Sequence, residues 1–284
     1  MADNARDIRR RIRATKNMAQ ITRAFQQVAT ARLRRAQMRV SESRPYAESI
    51  RDVLAGLASQ HGGDVTHPLL EQRPTQTVGI IEVTPDRGLC GALITNVNRA
   101  VGRFVLQQQH PVRGYALGRR GRDFMRRTGL SVAAEEINLG DYPELARILP
   151  IARLVMDDYA SGAVDTVYLA YTRFVSTMRQ EPAVQQLIPI EPPEQEQGAI
   201  SYEYEPEPAV VLNSLLPRYI EVQIYQAVLE SKASEQAARL VAMRNATDNA
   251  NELVSDLTLS LNKVRQASIT KEISEIAAGA EALA

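Results

Sequence analysis

The N-terminal part of the chain carries a hydrophobic pattern typical of one long amphipathic helix. Over residues 3–59, apolar or small side chains recur in steps of mostly three and four, the spacing of a packed helical face. These positions are Ile8, Ile12, Thr15, Met18, Ile21, Phe25, Val28, Ala29, Ala36 and Val40. No glycine precedes Gly56 and the only proline is Pro45. We therefore expect one helix with a kink or local break at Pro45.

The pattern changes over residues 76–208, where short apolar runs alternate with helical segments. A β-branched run at residues 77–84 predicts a buried strand. The later elements are predicted as helix, strand, helix, helix, strand and strand: residues 92–108, residues 112–117, a helix ending at Arg126, residues 145–161, residues 166–173 and residues 183–190. This alternation indicates an α/β layer with a partly parallel sheet.

The last segment, residues 209–284, predicts a second helix of unusual length. No glycine lies between Gly198 and Gly279. Its apolar or small face consists of Val222, Tyr225, Leu229, Ala233, Ala237, Leu240, Met243, Ala246, Ala250, Leu253, Leu257, Leu261 and Val264. An uninterrupted helix over residues 218–278 would be about 90 Å long, about three times the diameter of a small domain. Its apolar face must therefore pair with another element.

The N-terminal helix is the natural partner for this second helix. Because one helix leads into the α/β segment and the other leads out, the pair is expected to be antiparallel, with the longer C-terminal helix overhanging. The predicted organisation is a coiled-coil helix (1–59), an α/β body (76–208) and a coiled-coil helix (209–284). The predicted seam between the helices consists of Ile8, Ile12, Ile21, Phe25, Leu240, Met243, Leu257 and Leu261.

Charge is unevenly distributed along the chain. The 284 residues have a formal net charge of +1, which excludes a uniformly basic nucleic-acid coat. Residues 1–44, however, contain twelve basic and only three acidic side chains. The basic helix face, represented by Arg9, Arg10 and Arg13, could be solvated, bind nucleic acid or membrane, or face acidic protein surfaces. Aromatic side chains interleaved with the basic ones would support binding of single-stranded nucleic acid, but they are missing apart from Phe25 and Tyr46, and we favour acidic protein surfaces.

The sequence offers no arrangement typical of catalysis, cofactor binding or metal binding. The three histidines lie in no metal-binding pattern. The loop at residues 88–91 follows a strand but lacks the lysine and hydroxyl of a phosphate-binding loop, so Gly88 and Gly91 are interpreted as turn and packing residues. Cys90 is interpreted as a small buried residue. Without a membrane-spanning run or an apolar leader, the chain is expected on the cytoplasmic side.

Two C-terminal segments, residues 230–250 and 264–282, are not explained by a plain coiled coil. Residues 230–235 and 245–249 place Ser, Thr, Asp and Asn in mid-helix, where their side chains compete with backbone hydrogen bonds. This suggests contacts that need short hydrogen-bonding side chains.

A motif near the C-terminus consists of Ile269, Thr270, Glu272, Glu275, Gly279, Ala280 and Ala282. These residues match a signature of the γ subunits of rotary F-type ATP synthases, a family that the sequence resembles. Residues 86–91, 230–235, 238–243 and 246–250, and the opening helix, resemble the family in the same order. Phe25 and Gln27 depart from it, since members often carry Met there, and the paired-cysteine switch of chloroplast relatives is absent.

The resemblance implies a non-catalytic shaft without a cofactor. Its coil would stand inside a ring of three α and three β subunits, and its α/β body would meet the ε subunit and the c-ring of Fo. Proton-driven rotation of the c-ring would then drive the β subunits through their conformational cycle. The expected location is peripheral, on the cytoplasmic face of a bacterial cell membrane, reached only through Fo, with no nucleic-acid partner.

The resemblance also assigns contact residues. The expected β-subunit contacts are Arg239, Arg265, Gln266, Ile269, Thr270 and Glu272, and the expected apical bearing comprises Ile276, Gly279, Ala280 and Leu283. The predicted fold class is mixed α/β: a long antiparallel two-helix coiled coil formed by the N- and C-terminal helices, with a Rossmann-like α/β domain inserted between them. The alternatives are a static coiled-coil scaffold or adaptor, and a nucleotide-dependent α/β enzyme with helical arms.

Overall fold

The computed structural model describes residues 5–60, 67–191 and 208–281, with side chains omitted at 57–60, 208–209 and 279–281. These residues form two compact units. One unit combines the chain up to Ala29 with the chain from Leu240 onward, and the other is Thr30–Arg239.

Long helices occupy both ends of the described chain. Helix α1 is Ala5–Gln60, with 56 residues, and helix α5 is Pro208–Glu281, with 74 residues. Helix α1 continues through Pro45 and α5 through Pro217. The local break expected at Pro45 is therefore absent. A proline removes one intrahelical hydrogen bond, and packing of the flanking turns can maintain the helix across it.

Between α1 and α5, the described residues form five strands and three shorter α-helices. In chain order they are β1 (Val78–Val83), α2 (Leu93–Gln107), β2 (Val112–Leu117), α3 (Arg119–Thr128), β3 (Ser131–Glu136), α4 (Leu145–Ala160), β4 (Thr166–Phe174) and β5 (Gln180–Ile188). A short 3-10 helix, Pro68–Leu70, precedes β1. The sequence did not predict β3, and it predicted the start of β5 three residues too late.

The strands form one mixed sheet in the order β3-β2-β1-β4-β5. Strand β1 is parallel to β2 and β4, with Ile81 aligned to both Tyr115 and Leu169. Strand β3 is parallel to β2, whereas β5 is antiparallel to β4. All six residues of β1 are buried, as expected for the central strand of a largely parallel sheet covered on both faces.

Both faces of the sheet are covered. On one face, Val101 of α2 and Met125 of α3 pack on Ile80. On the other, the core contains apolar residues of α4 and of the portions of α1 and α5 in this unit: Ile50, Leu54, Ile148, Val155, Tyr159, Leu216, Ile220 and Ile224. The paired terminal helices are thus built into the core of the Thr30–Arg239 unit.

The carboxyl edge of the sheet is closely packed around Thr84, directly after β1. Gly118 has φ +113°, and a Cβ there would lie 2.0 Å from the Thr84 carbonyl oxygen, so only glycine fits. The Gly121 amide donates to Thr84 Oγ1 at 2.7 Å. These contacts fix the start of α3 against the loop that follows β1.

Glu82 is a carboxyl group enclosed within this packing. It lies on β1 and is fully buried. With its amide nitrogen facing the carboxyl, Asn98 of α2 donates to Glu82 Oε1 at 3.0 Å, while Oε2 has no hydrogen-bond partner among the described residues. Burial raises the pKa of Glu82 from 4.5 to about 8. At neutral pH the group is therefore mostly protonated.

Glu82→Gln should remove a pH dependence of folding stability. Between pH 4.5 and 8 the unfolded chain loses this proton and the folded chain keeps it, so wild-type stability falls as pH rises. The loss is about 1.4 kcal/mol per pH unit and at most roughly 5 kcal/mol in total. Above the folded-state pKa both states are ionised, and the dependence ends.

The measurement is denaturant unfolding of the full chain across this pH range. Unfolding is monitored by the near-UV circular dichroism signal of the buried tyrosines. The stability advantage of Glu82→Gln over wild type should grow up to about pH 8 and then level off. Glu252→Gln, at an exposed position of α5, is the control, and its stability should show the same pH dependence as that of wild type. A constant difference between Glu82→Gln and wild type would show that Glu82 ionises normally.

Candidate functional site: the paired helices and their anchor on the sheet

The buried side of α1 follows a strict heptad spacing. In the first unit, the buried or half-buried positions at steps of four and three are Ile8, Ile12, Thr15, Ala19, Thr22, Gln26 and Ala29. In the second unit the same spacing continues through Leu33, Ala36 and Val40. Residues at alternating steps of three and four form the seam of a left-handed coiled coil.

Helix α5 carries a matching row. In the first unit its buried or half-buried positions at the same spacing are Leu240, Met243, Thr247, Ala250, Val254, Leu257, Leu261 and Val264. Several seam positions on both helices are alanine or threonine. Such small side chains allow the two backbones to approach closely.

Two side-chain hydrogen bonds define the pairing, one in each unit. In the first unit, the buried hydroxyls of Thr22 and Thr247 lie 2.7 Å apart. In the second unit, Ser43 Oγ donates to Gln226 Oε1 at 2.5 Å. A separate cluster there packs two α1 residues with two α5 residues: Ala36, Val40, Leu229 and Ala233. Rising residue numbers on α1 thus meet falling numbers on α5, and the helices are antiparallel.

The predicted seam requires correction at two positions. Ile21 and Phe25 are 50% and 46% exposed, and the seam instead uses the neighbouring Thr22 and Gln26. Ile21 and Phe25 belong to an exposed apolar row on α1 with Met18 and Val28. Of the other predicted seam residues, three are buried and three are half-buried: Ile8, Met243 and Leu257, and Ile12, Leu240 and Leu261.

The final described turns of α5 are exposed throughout. Every residue from Arg265 to Ala278 is exposed. Five of the predicted contacts share it: Arg265, Gln266, Ile269, Thr270 and Glu272. Its exposed apolar side chains are Ile269, Ile273 and Ile276, at 48%, 62% and 73%.

The predicted apical-bearing residues are described only in part. Ile276 is exposed on α5. Gly279 and Ala280 lie within the helix, but their side-chain positions are not described. Leu283 lies outside the described residues. The basic-face residues Arg9, Arg10 and Arg13 are exposed on α1.

Arg239 belongs to the Thr30–Arg239 unit. Its guanidinium donates to Glu235 Oε1 at 2.8 Å and to the Gly88 carbonyl at 3.2 Å. Glu235 also pairs with Lys232 at 3.1 Å, and the Arg239 side chain is only 12% exposed. Arg239 is therefore bound within its own chain, an arrangement that the sequence did not indicate.

The serines of the polar block in α5 bind the backbone at the end of β4. The Thr172 amide donates to Ser231 Oγ at 3.2 Å, and Ser234 Oγ donates to the Thr172 carbonyl at 3.1 Å. Both serines are buried. The contacts expected from polar residues in mid-helix are thus made, at least for this block, within the chain.

The loop after β1 is held from several sides. Asp86 Oδ1 accepts hydrogen bonds from the Arg119 and Asn138 amides, at 2.9 and 3.0 Å. Leu89 adopts a left-handed conformation, with φ +64°, and is exposed. Cys90 is buried, and burial raises the pKa of its thiol. The loop is a fixed structure at the carboxyl edge of the sheet.

Helix α5 occupies the edge where α/β folds commonly bind ligands. In open α/β sheets, ligands lie outside the carboxyl ends of the strands. Here Arg239 contacts the loop after β1, and Ser231 and Ser234 contact the end of β4. The polar backbone groups at this edge therefore bind side chains of α5.

Two kinds of site are absent from the described residues. No group of three or more His, Cys, Asp or Glu side chains among them is placed to hold a metal ion. No helix in the described part of the chain has the length and apolar character needed to cross a membrane.

These features define a class of protein in which the two ends of the chain pair as antiparallel helices and an α/β fold is inserted between them. A family model described as ATP synthase matches residues 4–283. The ATP synthase gamma chain of Dehalococcoides mccartyi (strain CBDB1) is 52% identical over 283 residues, covering 99% of both chains. That of Roseiflexus castenholzii is 53% identical over 286 residues, again covering 99% of both. The chain belongs to the ATP synthase gamma chain family.

Solved structures show the same fold at low sequence identity. A chain in the rotor of the Euglena gracilis mitochondrial ATP synthase aligns with a TM-score of 0.68 at 18% identity, covering 93% of this chain and 98% of that chain. A chain in the central stalk and c-ring structure of the Tetrahymena thermophila enzyme aligns with a TM-score of 0.59 at 21% identity. That alignment covers 80% of this chain and 99% of the other.

The Thr22–Thr247 pair should behave as a coupled unit in folding. Thr22→Val leaves the Thr247 hydroxyl without its partner across the seam and should lower stability by about 1–2 kcal/mol, as should Thr247→Val. The double variant should lose less than the sum of the two, with a coupling energy of about 0.5–1.5 kcal/mol. Denaturant unfolding followed by far-UV circular dichroism measures this cycle.

Thr258→Val is the matched control for the threonine cycle. Thr258 also lies on α5 and donates to the carbonyl four residues earlier, Val254 O, but it is exposed. Its replacement should be nearly neutral. Strict additivity of Thr22→Val and Thr247→Val would contradict a hydrogen bond across the seam.

Proposed function

We propose that this gamma chain is a non-catalytic shaft that couples rotation of a c-ring to conformational cycling of catalytic β subunits. The single observation that carries the proposal is the antiparallel seam of α1 and α5, from which α5 continues as an exposed segment. Family membership supports the assignment, because the relatives that match over their whole length are ATP synthase gamma chains.

A two-helix shaft can make three identical subunits differ. A pair of helices has no threefold symmetry, so each of three surrounding subunits meets a different face. If each face stabilises one conformation over another, the difference in binding free energy sets the nucleotide affinity of each site. The proposed shaft needs no catalytic group or cofactor of its own for this role.

The proposed contacts with the β subunits are Arg265, Gln266, Ile269, Thr270 and Glu272. Their exposure on one helical segment supports this assignment. We add the exposed apolar row on α1, because a surrounding ring would remove these side chains from water: Met18, Ile21, Phe25 and Val28. Arg239 is better assigned to an internal contact, given its bonds to Glu235 and Gly88.

The apical bearing is proposed to comprise Ile276, Gly279, Ala280 and Leu283. The α and β subunits would surround the coiled-coil helices, residues 1–59 and 209–284. The α/β body, residues 76–208, would contact the ε subunit and the c-ring. The matching structures, which are of a rotor and of a central stalk with c-ring, support this placement. The chain would then be peripheral, on the cytoplasmic face of a bacterial membrane, and would reach that membrane only through Fo.

The first test of this function is assembly and activity with α and β subunits. The chain should co-purify with three copies of each and show no ATPase activity alone. Truncation after Ser268 should lower the ATPase activity of the assembled complex by about fivefold or more, the lower end expected for a coupling free energy of 1–3 kcal/mol.

Thr258→Val serves here as a control on α5 outside the proposed contacts. Full activity of the truncated complex would contradict the β-contact assignment. ATPase activity in the isolated chain would favour the enzyme alternative, and co-purification with other proteins in place of α and β would favour the scaffold.

The basic face of α1 provides a second test. Arg9→Gln/Arg10→Gln/Arg13→Gln should weaken assembly most at low ionic strength and least near 1 M salt, where charges are screened within about 3 Å. Binding to α and β subunits across a salt series measures this. The control removes three exposed arginines of α2 and α4: Arg99→Gln/Arg103→Gln/Arg153→Gln. Equal binding by both triple variants at all salt concentrations would contradict a role for the basic face.

A further inference from the structure

A loop of the α/β fold contacts α1 through arginine side chains of α1. Arg32 pairs with Asp141 at 3.0 Å, and Arg39 donates to the Pro143 carbonyl at 3.4 Å. Arg35 donates to Tyr142 Oη at 3.1 Å. The guanidinium groups of Arg35 and Arg39 lie 5.9 and 5.1 Å from the centre of the Tyr142 ring, within cation–π range. We call these contacts the α1 anchor.

The contacts of Thr172 with Ser231 and Ser234, together with that of Gly88 with Arg239, form a corresponding α5 anchor. Both anchors lie in the Thr30–Arg239 unit. Both also lie at the carboxyl ends of strands: residues 138–144 follow β3, Gly88 follows β1, and Thr172 is near the end of β4. The same edge of the sheet therefore holds both helices.

The chemistry of the anchors differs from that of the surrounding core. Apolar packing is non-directional, whereas hydrogen bonds weaken steeply when their geometry is distorted. The α5 anchor also buries Lys232 and Glu235, and desolvation of an ion pair makes it a weak source of stability. Directional contacts at this place add a resistance to rotation and sliding of the helices against the sheet to that of the interdigitated core.

We propose that the α1 and α5 anchors are the points through which load passes between the paired helices and the α/β fold as the complex turns. This inference rests on the proposed rotor function. Arg35, Arg39, Ser231 and Ser234 are positioning residues in it, since they act by holding the helices. Loss of an anchor should let the helices slip under load while the catalytic sites still hydrolyse ATP.

The test uses the complete FoF1 complex reconstituted in vesicles, with proton pumping and ATP hydrolysis measured together. Ser231→Ala/Ser234→Ala weakens the α5 anchor, and Arg35→Gln/Arg39→Gln weakens the α1 anchor. In each variant the ratio of protons pumped to ATP hydrolysed should fall about twofold or more, with hydrolysis near the wild-type rate. Combining the variants should lower the ratio further.

Matched controls exist for both substitutions. Ser214 and Ser255 are exposed serines of α5 that donate only to carbonyls of their own helix, so Ser214→Ala/Ser255→Ala controls for the serine pair. Arg99→Gln/Arg103→Gln removes two exposed charges of α2 and controls for the arginine pair. Both controls should keep the wild-type ratio.

The outcomes separate this inference from the function on which it rests. If the wild-type chain fails to assemble with α and β subunits, the rotor function itself is wrong. If assembled variants pump protons at the wild-type ratio, even with reduced thermal stability or yield, the anchors are merely structural and the inference is overturned. The arginine pair lies at the surface, so it supplies the test if the buried serine pair prevents folding.

Discussion

The seam between α1 and α5 is the contact on which the other features of this molecule depend. Residues such as Ala19, Ala29 and Ala250 bury little apolar area each, so one contact contributes little free energy. Stability must therefore come from the repetition of such contacts along both helices. Small side chains also bring the backbones together, which allows the short hydroxyls of Thr22 and Thr247 to meet. The pairing in turn leaves the end of α5 exposed.

The α/β fold is adapted to hold these helices. A mixed sheet with helices on both faces often presents its carboxyl edge to a ligand. In this chain the same edge binds α5 through Ser231, Ser234 and Arg239, and a neighbouring loop binds arginines of α1. The buried hydroxyls of Ser231 and Ser234, residues that would weaken an isolated helix, thereby find hydrogen-bond partners on β4.

Much of the fold follows from sequence periodicity, and the exceptions have physical reasons. The long helices and β2 were predicted closely. Strand β3, with sequence SVAAEE, lacks the apolar character of a central strand because it lies at the sheet edge. The start of β5 contains Pro182, which an edge strand tolerates and a sequence pattern discounts.

The site was less predictable. Two adjacent rows of α1 residues have heptad spacing, and either could form the seam. Hydrophobicity alone predicts the row with Ile21 and Phe25. Unbroken steps of four and three from Ile8 predict the row with Thr22 and Gln26. The bond from Arg239 to Gly88 joins residues distant in sequence, and no local pattern encodes it.

Disulfide trapping tests the central claim, the antiparallel pairing of α1 and α5 in this register, most directly. With Cys90 replaced by alanine, Thr22→Cys/Thr247→Cys should cross-link rapidly under mild oxidation, because the two hydroxyls lie 2.7 Å apart. Thr22→Cys/Thr258→Cys places the second cysteine about three turns further along α5 and should not cross-link. Failure of the first pair, or equal cross-linking of both, would contradict the paired-helix account.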